Sequence, residues 1–149
     1  MNKSHIYNLK ELDEALKAKS ENTSYTEVLN AIRFSFKEVE HLCFWDAESY
    51  SKINIGNGAN YELVLICWEN GQQSQIHQHD EHEAFTYVLK GEITEEIFKN
   101  PLKSLTPEKI KVLTKRDITS IINKGKKEHC LINSYKGRSV TLHLYVDEV

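Results

Sequence analysis

Apolar residues near the N-terminus recur at helical spacing. Leu9, Leu12, Ala15 and Leu16 fall three or four positions apart, which predicts an amphipathic helix. A second helix is predicted to begin at Ser24-Tyr25-Thr26-Glu27, a Ser-x-x-Glu capping box in which each side chain satisfies a backbone donor of the first turn. Val28, Leu29, Ile32, Phe36 and Val39 continue from it as an apolar stripe with the helical period. Such a stripe packs more often on the chain's own sheet than on a partner. From about Trp45 the texture changes. Short runs of Val, Ile, Leu, Thr and Tyr alternate with turn clusters: Gly56-Asn57-Gly58, Glu69-Asn70-Gly71, Lys90-Gly91, Asn100-Pro101, Asn123-Lys124-Gly125 and Lys136-Gly137. Strands at this spacing predict a sandwich or barrel. Helices first and strands afterwards give a mainly β protein, a barrel with a helical N-terminal cover.

Length and composition fit that picture. The 149 residues suit one domain, 1–149, with residues 1–44 as the helical cover and 45–149 as the barrel. A hydrophobic content of 40% is enough for a core. The net charge of −3 is mild and Lys and Arg form no stripe, so nucleic acid is not an expected partner. No apolar run approaches the ~20 residues that cross a bilayer, and the N-terminus has no apolar stretch of signal type. The expectation is a cytoplasmic protein with no membrane partner; its oligomeric state is open, and a monomer is compatible with the sequence. Cys43, Cys67 and Cys130 are widely spaced and form no CxxC pair, which argues against a disulfide framework and a zinc-thiolate site. Cys67 sits in the apolar run Leu63-Val64-Leu65-Ile66-Cys67-Trp68 and reads as a buried, inert thiol. The role of Cys130 stays open, and none of the three is chosen as a nucleophile.

The chemistry concentrates in histidines. In Gly71-Gln72-Gln73-Ser74-Gln75-Ile76-His77-Gln78-His79 the His pair is two apart, so on a strand both imidazoles would face one point. A transition metal needs that geometry. Downstream, Gly125-Lys126-Lys127-Glu128-His129 places a third His after a turn, at the start of another strand. Near the C-terminus Thr141, His143 and Tyr145 alternate with Leu142 and Leu144. If the leucines face the hydrophobic layer, the three polar groups face the barrel interior, where a hydroxyl and an imidazole must find hydrogen-bond partners. His5 and His41 read as surface groups, and His82 as a residue of a polar turn.

Taken together, these residues resemble a known family. Gly-x5-His-x-His followed by Gly91 is similar to the first cupin motif, and His129-x3-Asn133 to the core of the second. Leu65-Ile66-Cys67-Trp68-x-x-Gly71 and Thr141-Leu142-His143-Leu144-Tyr145 sharpen the resemblance to the thiol dioxygenase branch, in particular the cysteine dioxygenases. It runs from roughly Tyr50 to Tyr145 and more weakly into the helices. It implies a cupin-type double-stranded β-helix, or jelly-roll, barrel. It also implies a non-haem Fe(II) held by His77, His79 and His129, with O₂ and a small thiol as partners and a sulfinic acid as product. Tyr145 would donate to bound oxygen or to the substrate carboxylate, with His143 and Thr141 orienting it.

The chain departs from the family pattern in three places. Most cupins add a carboxylate ligand where this chain has Ala84; Glu83 is one residue earlier and would need a bulge to turn inward. Animal cysteine dioxygenases have there a Cys that forms a thioether with the active-site Tyr, so Tyr145 is expected to be unmodified. In Tyr50-Ser51-Lys52 the resemblance places Lys52 where an Arg grips the substrate carboxylate, with Tyr50 beside it. Lys offers a point charge rather than a fork, which leaves both L-cysteine and 3-mercaptopropionate as substrates; a solvated loop lysine is the alternative. The chain runs four residues past Tyr145, where the family often continues, which implies a more open pocket. A non-enzymatic cupin that binds metal or ligand, and a Zn²⁺- or Mn²⁺-dependent isomerase, are the competing readings.

Overall fold

The first helix, α1, spans Leu9–Lys17. Asn8 caps it by accepting from the Glu11 amide, and Leu12 and Leu16 form its buried face. The computed structural model describes residues 4–78, 81–99, 103–122 and 127–147. The second helix, α2, spans Tyr25–Asn30, with Ser24 Oγ accepting from the Glu27 amide at 3.1 Å. It stops well short of the predicted stripe through Val39. The cause is a long-range competitor for the backbone. Ile32 forms a parallel bridge with Ile6: Ile6 N–H donates to Ala31 O at 2.9 Å and Arg33 N–H to Ile6 O at 2.7 Å. The chain then resumes as two single 3₁₀ turns, Phe36–Glu38 and Glu40–Leu42. Val28, Leu29, Ile32 and Val39 are all buried, but they reach the core from separate pieces of chain.

Eight strands follow: β1 Ser51–Asn57, β2 Tyr61–Trp68, β3 Glu83–Lys90, β4 Ile93–Phe98, β5 Lys109–Leu113, β6 Ile118–Ile122, β7 Glu128–Ile132 and β8 Ser139–Val146. They form two antiparallel sheets, one in the order β1-β2-β8-β3-β6 and one in the order β5-β4-β7. The larger sheet is covered on both faces. On one, Leu63, Leu65, Phe85, Tyr87, Leu142 and Leu144 meet Leu12, Leu16, Leu29 and Ile32 of the helical segment. On the other, Val64, Ile66, Trp68, Val88 and Ile121 meet Ile93, Leu113 and Leu131 of the smaller sheet. Every residue of β8 is therefore buried. The alternating period of a strand sends half of its side chains to each layer.

Gly91 carries the chain from the larger sheet to the smaller. Its φ is +72°, and a Cβ there would lie 2.8 Å from the Arg138 carbonyl oxygen, so only glycine fits without strain. Gly71 has φ +85° and starts the segment that brings in His77. The predicted turns Asn100-Pro101 and Asn123-Lys124-Gly125 lie outside the described residues. Among the described residues no helix is long and apolar enough to cross a membrane.

Candidate functional site

Where a regular strand is predicted through His77 and His79, the described residues Gln73 to His77 form an irregular segment beside β7. Gln73 bridges Ile132 and His77 bridges His129, four steps on one side against three on the other. The extra residue breaks the ladder and re-aims the side chains after it, as a bulge does. Ser74 N–H donates to Leu131 O at 2.9 Å, His77 N–H to His129 O at 2.9 Å and His129 N–H to His77 O at 3.0 Å. These bonds bring two imidazoles from distant parts of the chain together. Their Nε2 atoms are 3.1 Å apart and their ring centroids 4.6 Å. His79 lies outside the described residues.

The outer nitrogens of both rings are committed. His77 Nδ1 lies 2.7 Å from the Gln75 carbonyl oxygen, and His129 Nδ1 lies 2.8 Å from Glu95 Oε2. A carbonyl and a carboxylate only accept, so each Nδ1 carries a proton, and a ring with no second proton presents its Nε2 lone pair. Two Nε2 atoms at 3.1 Å are held together by whatever lies between them, a shared proton or a metal ion. Two imidazoles on one metal place their nitrogens about 3.0–3.4 Å apart, given bonds of about 2.1 Å. Burial lowers the His77 pKa below the usual histidine value; the Gln75 carbonyl opposes this, while the neighbouring His129 and Lys52 reinforce it. The neutral ring that a metal requires is thus favoured. Among the described residues no three His, Cys, Asp or Glu side chains converge as a metal site. A full ligand set needs a donor beyond this pair.

The pair lines a cavity of about 570 Å³ together with Tyr50, Lys52, Trp68, Ala84, His143 and Tyr145, among others. Lys52 lies on β1 opposite Ile66. Its ammonium is 5.4 Å from the centroid of the Tyr145 ring, so it is a strand residue at the cavity rather than a loop lysine, although it is exposed to solvent. Tyr50 packs on Trp68 with centroids 4.7 Å apart. Trp68 Nε1 donates to Thr141 Oγ1 at 2.9 Å, and Thr141 Oγ1 is 2.6 Å from His143 Nε2. The indole can only donate, so the Thr141 proton is available to His143. The opposite nitrogen, Nδ1, is 3.4 Å from Thr86 Oγ1. The rings of His143 and Tyr145 are 6.0 Å apart, tilted by 32°. Burial raises the Tyr145 pKa, helped by the charges of Glu81 and Glu62, so its hydroxyl keeps its proton and remains a donor.

Ala84 stands directly opposite Tyr145 across β3 and β8 and lines the cavity. The pairing with β8 is regular from Glu83 to Val88, and the irregularity comes only between Val88 and Lys90. No bulge turns Glu83 inward; its parity places it on the face of Phe85, toward the helical layer.

Two buried polar residues matter more here than their sequence context announces. Glu95, 1% exposed, holds His129 and accepts from Thr119 Oγ1 at 2.8 Å. The available signal was an acid at the apolar parity of β4, between Ile93 and Ile97. Asn133 is fully buried; its amide donates to Trp68 O at 3.1 Å and Gly137 O at 2.9 Å. It pins the end of β7 to the end of β2, which makes it a scaffold residue. His5 and His41 are exposed, and His82 is half-buried. Burial pushes the Cys130 thiol up to about 11 and the Cys43 thiol up to about 12, so both stay protonated at neutral pH and poor as nucleophiles.

Comparison with known proteins bears on the whole arrangement. The pattern of the cysteine dioxygenase type I family matches residues 4–148. Cysteine dioxygenase type 1 of Danio rerio is 32% identical over 98 residues, and that of Bos taurus is 30% identical over 96 residues. Each match covers 62% of this chain and 48% of the relative, so the chain spans about half the length of the curated relatives it matches. Among solved structures, a Thermus thermophilus protein superposes with a TM-score of 0.60 at 16% identity, covering 74% of this chain and 95% of that one. A cupin superfamily protein of Desulfitobacterium hafniense gives 0.56 at 13% identity, covering 72% and 86%. The fold is a cupin jelly-roll, and the chain belongs to the cysteine dioxygenase type I family.

Proposed function

We propose that this chain is a non-haem Fe(II) thiol dioxygenase that converts a small thiol, with L-cysteine first in line, to its sulfinic acid: R–SH + O₂ → R–SO₂H. The observation that carries the reading is the His77–His129 pair, with the two Nε2 atoms 3.1 Å apart and both Nδ1 atoms engaged elsewhere. His77, His79 and His129 would hold the metal as three neutral ligands, leaving positions for thiolate and O₂. When bound, Fe(II) supplies activation of O₂ and lowers the thiol pKa.

The chain's own residues do the rest. Lys52 neutralises a substrate carboxylate with a point charge, and Tyr50, braced on Trp68, forms the wall beside it. Tyr145 donates its phenolic hydrogen to the substrate carboxylate or to the reacting oxygen. The Trp68–Thr141–His143 chain fixes the His143 ring next to it. Ala84 offers no sulfur, so Tyr145 works unmodified.

The test is an incubation of Fe(II)-loaded protein with L-cysteine under ¹⁸O₂. Sulfinate carrying both labelled oxygens is expected. No sulfinate from L-cysteine, 3-mercaptopropionate or cysteamine, with iron bound, would overturn the proposal.

A further inference from the structure

Glu95 lies between the two sheets among Ile93, Leu113 and Leu131, and burying a carboxylate in such a layer is expensive unless it is paired and hydrogen-bonded. An apolar side chain would fill the same space more cheaply. Both of its oxygens are used: Oε2 meets His129 Nδ1 at 2.8 Å and Oε1 accepts from Thr119 Oγ1 at 2.8 Å. Thr119 in turn accepts from Lys111 Nζ at 3.2 Å. The three groups come from different strands. Lys111 stands directly opposite Glu95 on β5, whereas Thr119 is on β6 of the larger sheet, so the network ties the two sheets together behind the imidazole.

We propose that Glu95, held by Thr119, is a positioning residue for metal binding: it keeps the His129 proton on Nδ1, aims Nε2 at the metal and supplies negative charge through the ring. Ala84 brings no charge to the cavity side of β3 and Glu83 faces the other way; Glu81 lines the cavity, whereas the Glu95 carboxylate acts from behind a ligand. A carboxylate on the far nitrogen of a ligating histidine raises its basicity and fixes its orientation. The inference rests on the metal reading proposed above.

Two measurements test it on the full chain. The first is anaerobic titration with Fe(II) alone. Glu95→Gln keeps shape and removes charge, and binding is expected to weaken by about 10–100-fold, while the metal-free melting temperature changes little. Thr119→Val leaves the carboxylate and loosens it, and a smaller loss is expected. Equal affinity in Glu95→Gln and wild type would overturn the role of Glu95; failure of the wild type to bind Fe(II) would instead remove the metal reading on which it rests. The second is ¹⁵N NMR of the histidine rings in the metal-free wild type. His129 should carry its proton on Nδ1, and a proton on Nε2 would overturn the proposal even if Glu95→Gln does not fold.

Discussion

Leu142 and His143 are neighbours on β8 and almost equally buried, 1% and 2% exposed, yet they face opposite layers. Leu142 and Leu144 enter the helix-covered layer among Leu12, Leu16, Leu29 and other apolar side chains and need no hydrogen-bond partner themselves. Thr141, His143 and Tyr145 take the other parity, His143 and Tyr145 lining the cavity, and the hydroxyl and the imidazole are engaged: Trp68 to Thr141, Thr141 to His143, Thr86 beside His143. Dry surroundings make a satisfied polar network rigid and an unsatisfied one costly. One strand thus serves two ends. Its apolar face stabilises the domain, and its polar face keeps a hydroxyl and an imidazole in fixed orientations.

Substitutions on the two faces should separate these roles. The largest effect is expected from His129→Ala: stoichiometric iron is lost and sulfinate formation falls to background, read by elemental analysis and product assay. Leu142→Ala, on the helical face, should cost about 2–5 kcal/mol, a fall in Tm of roughly 5–15 °C for a chain of this size, with iron binding by the folded fraction unchanged. Loss of metal affinity in that variant would break the division of labour. Tyr145→Phe should lower kcat by about 10²-fold with iron content and Tm near wild type; unchanged turnover would favour a passive binding module. Lys52→Met should raise KM for L-cysteine and 3-mercaptopropionate about tenfold, the worth of roughly 1.4 kcal/mol, and leave cysteamine, which has no carboxylate, unaffected. Lys52→Arg should restore the difference. The smallest effect is Ser24→Ala, about 1 kcal/mol through loss of the α2 cap, with kinetics unchanged.

What was legible in the sequence was local. The Ser24 cap and the alternation of β8 are each contained within a few residues, and each signal has its own physics. What was hidden depends on chain contacts over long separations. α2 ends at Asn30 because Ile6 pairs with Ile32, a contact no window around the helix contains. The extra residue between Gln73 and His77 is visible only against its partner β7. Glu95 meets His129 across 34 positions of sequence; its parity on β4 marks it as inward-facing, but only the β4–β7 register shows what it faces.

The central claim is that one cation sits between imidazoles brought from two distant parts of the chain. A crystal of the protein grown without oxygen and loaded with Fe(II), measured on both sides of the iron absorption edge, tests it most directly. The account predicts a single anomalous peak about 2.0–2.2 Å from Nε2 of His77, His79 and His129. A peak held by other side chains, or iron bound with a carboxylate among its ligands, would contradict it.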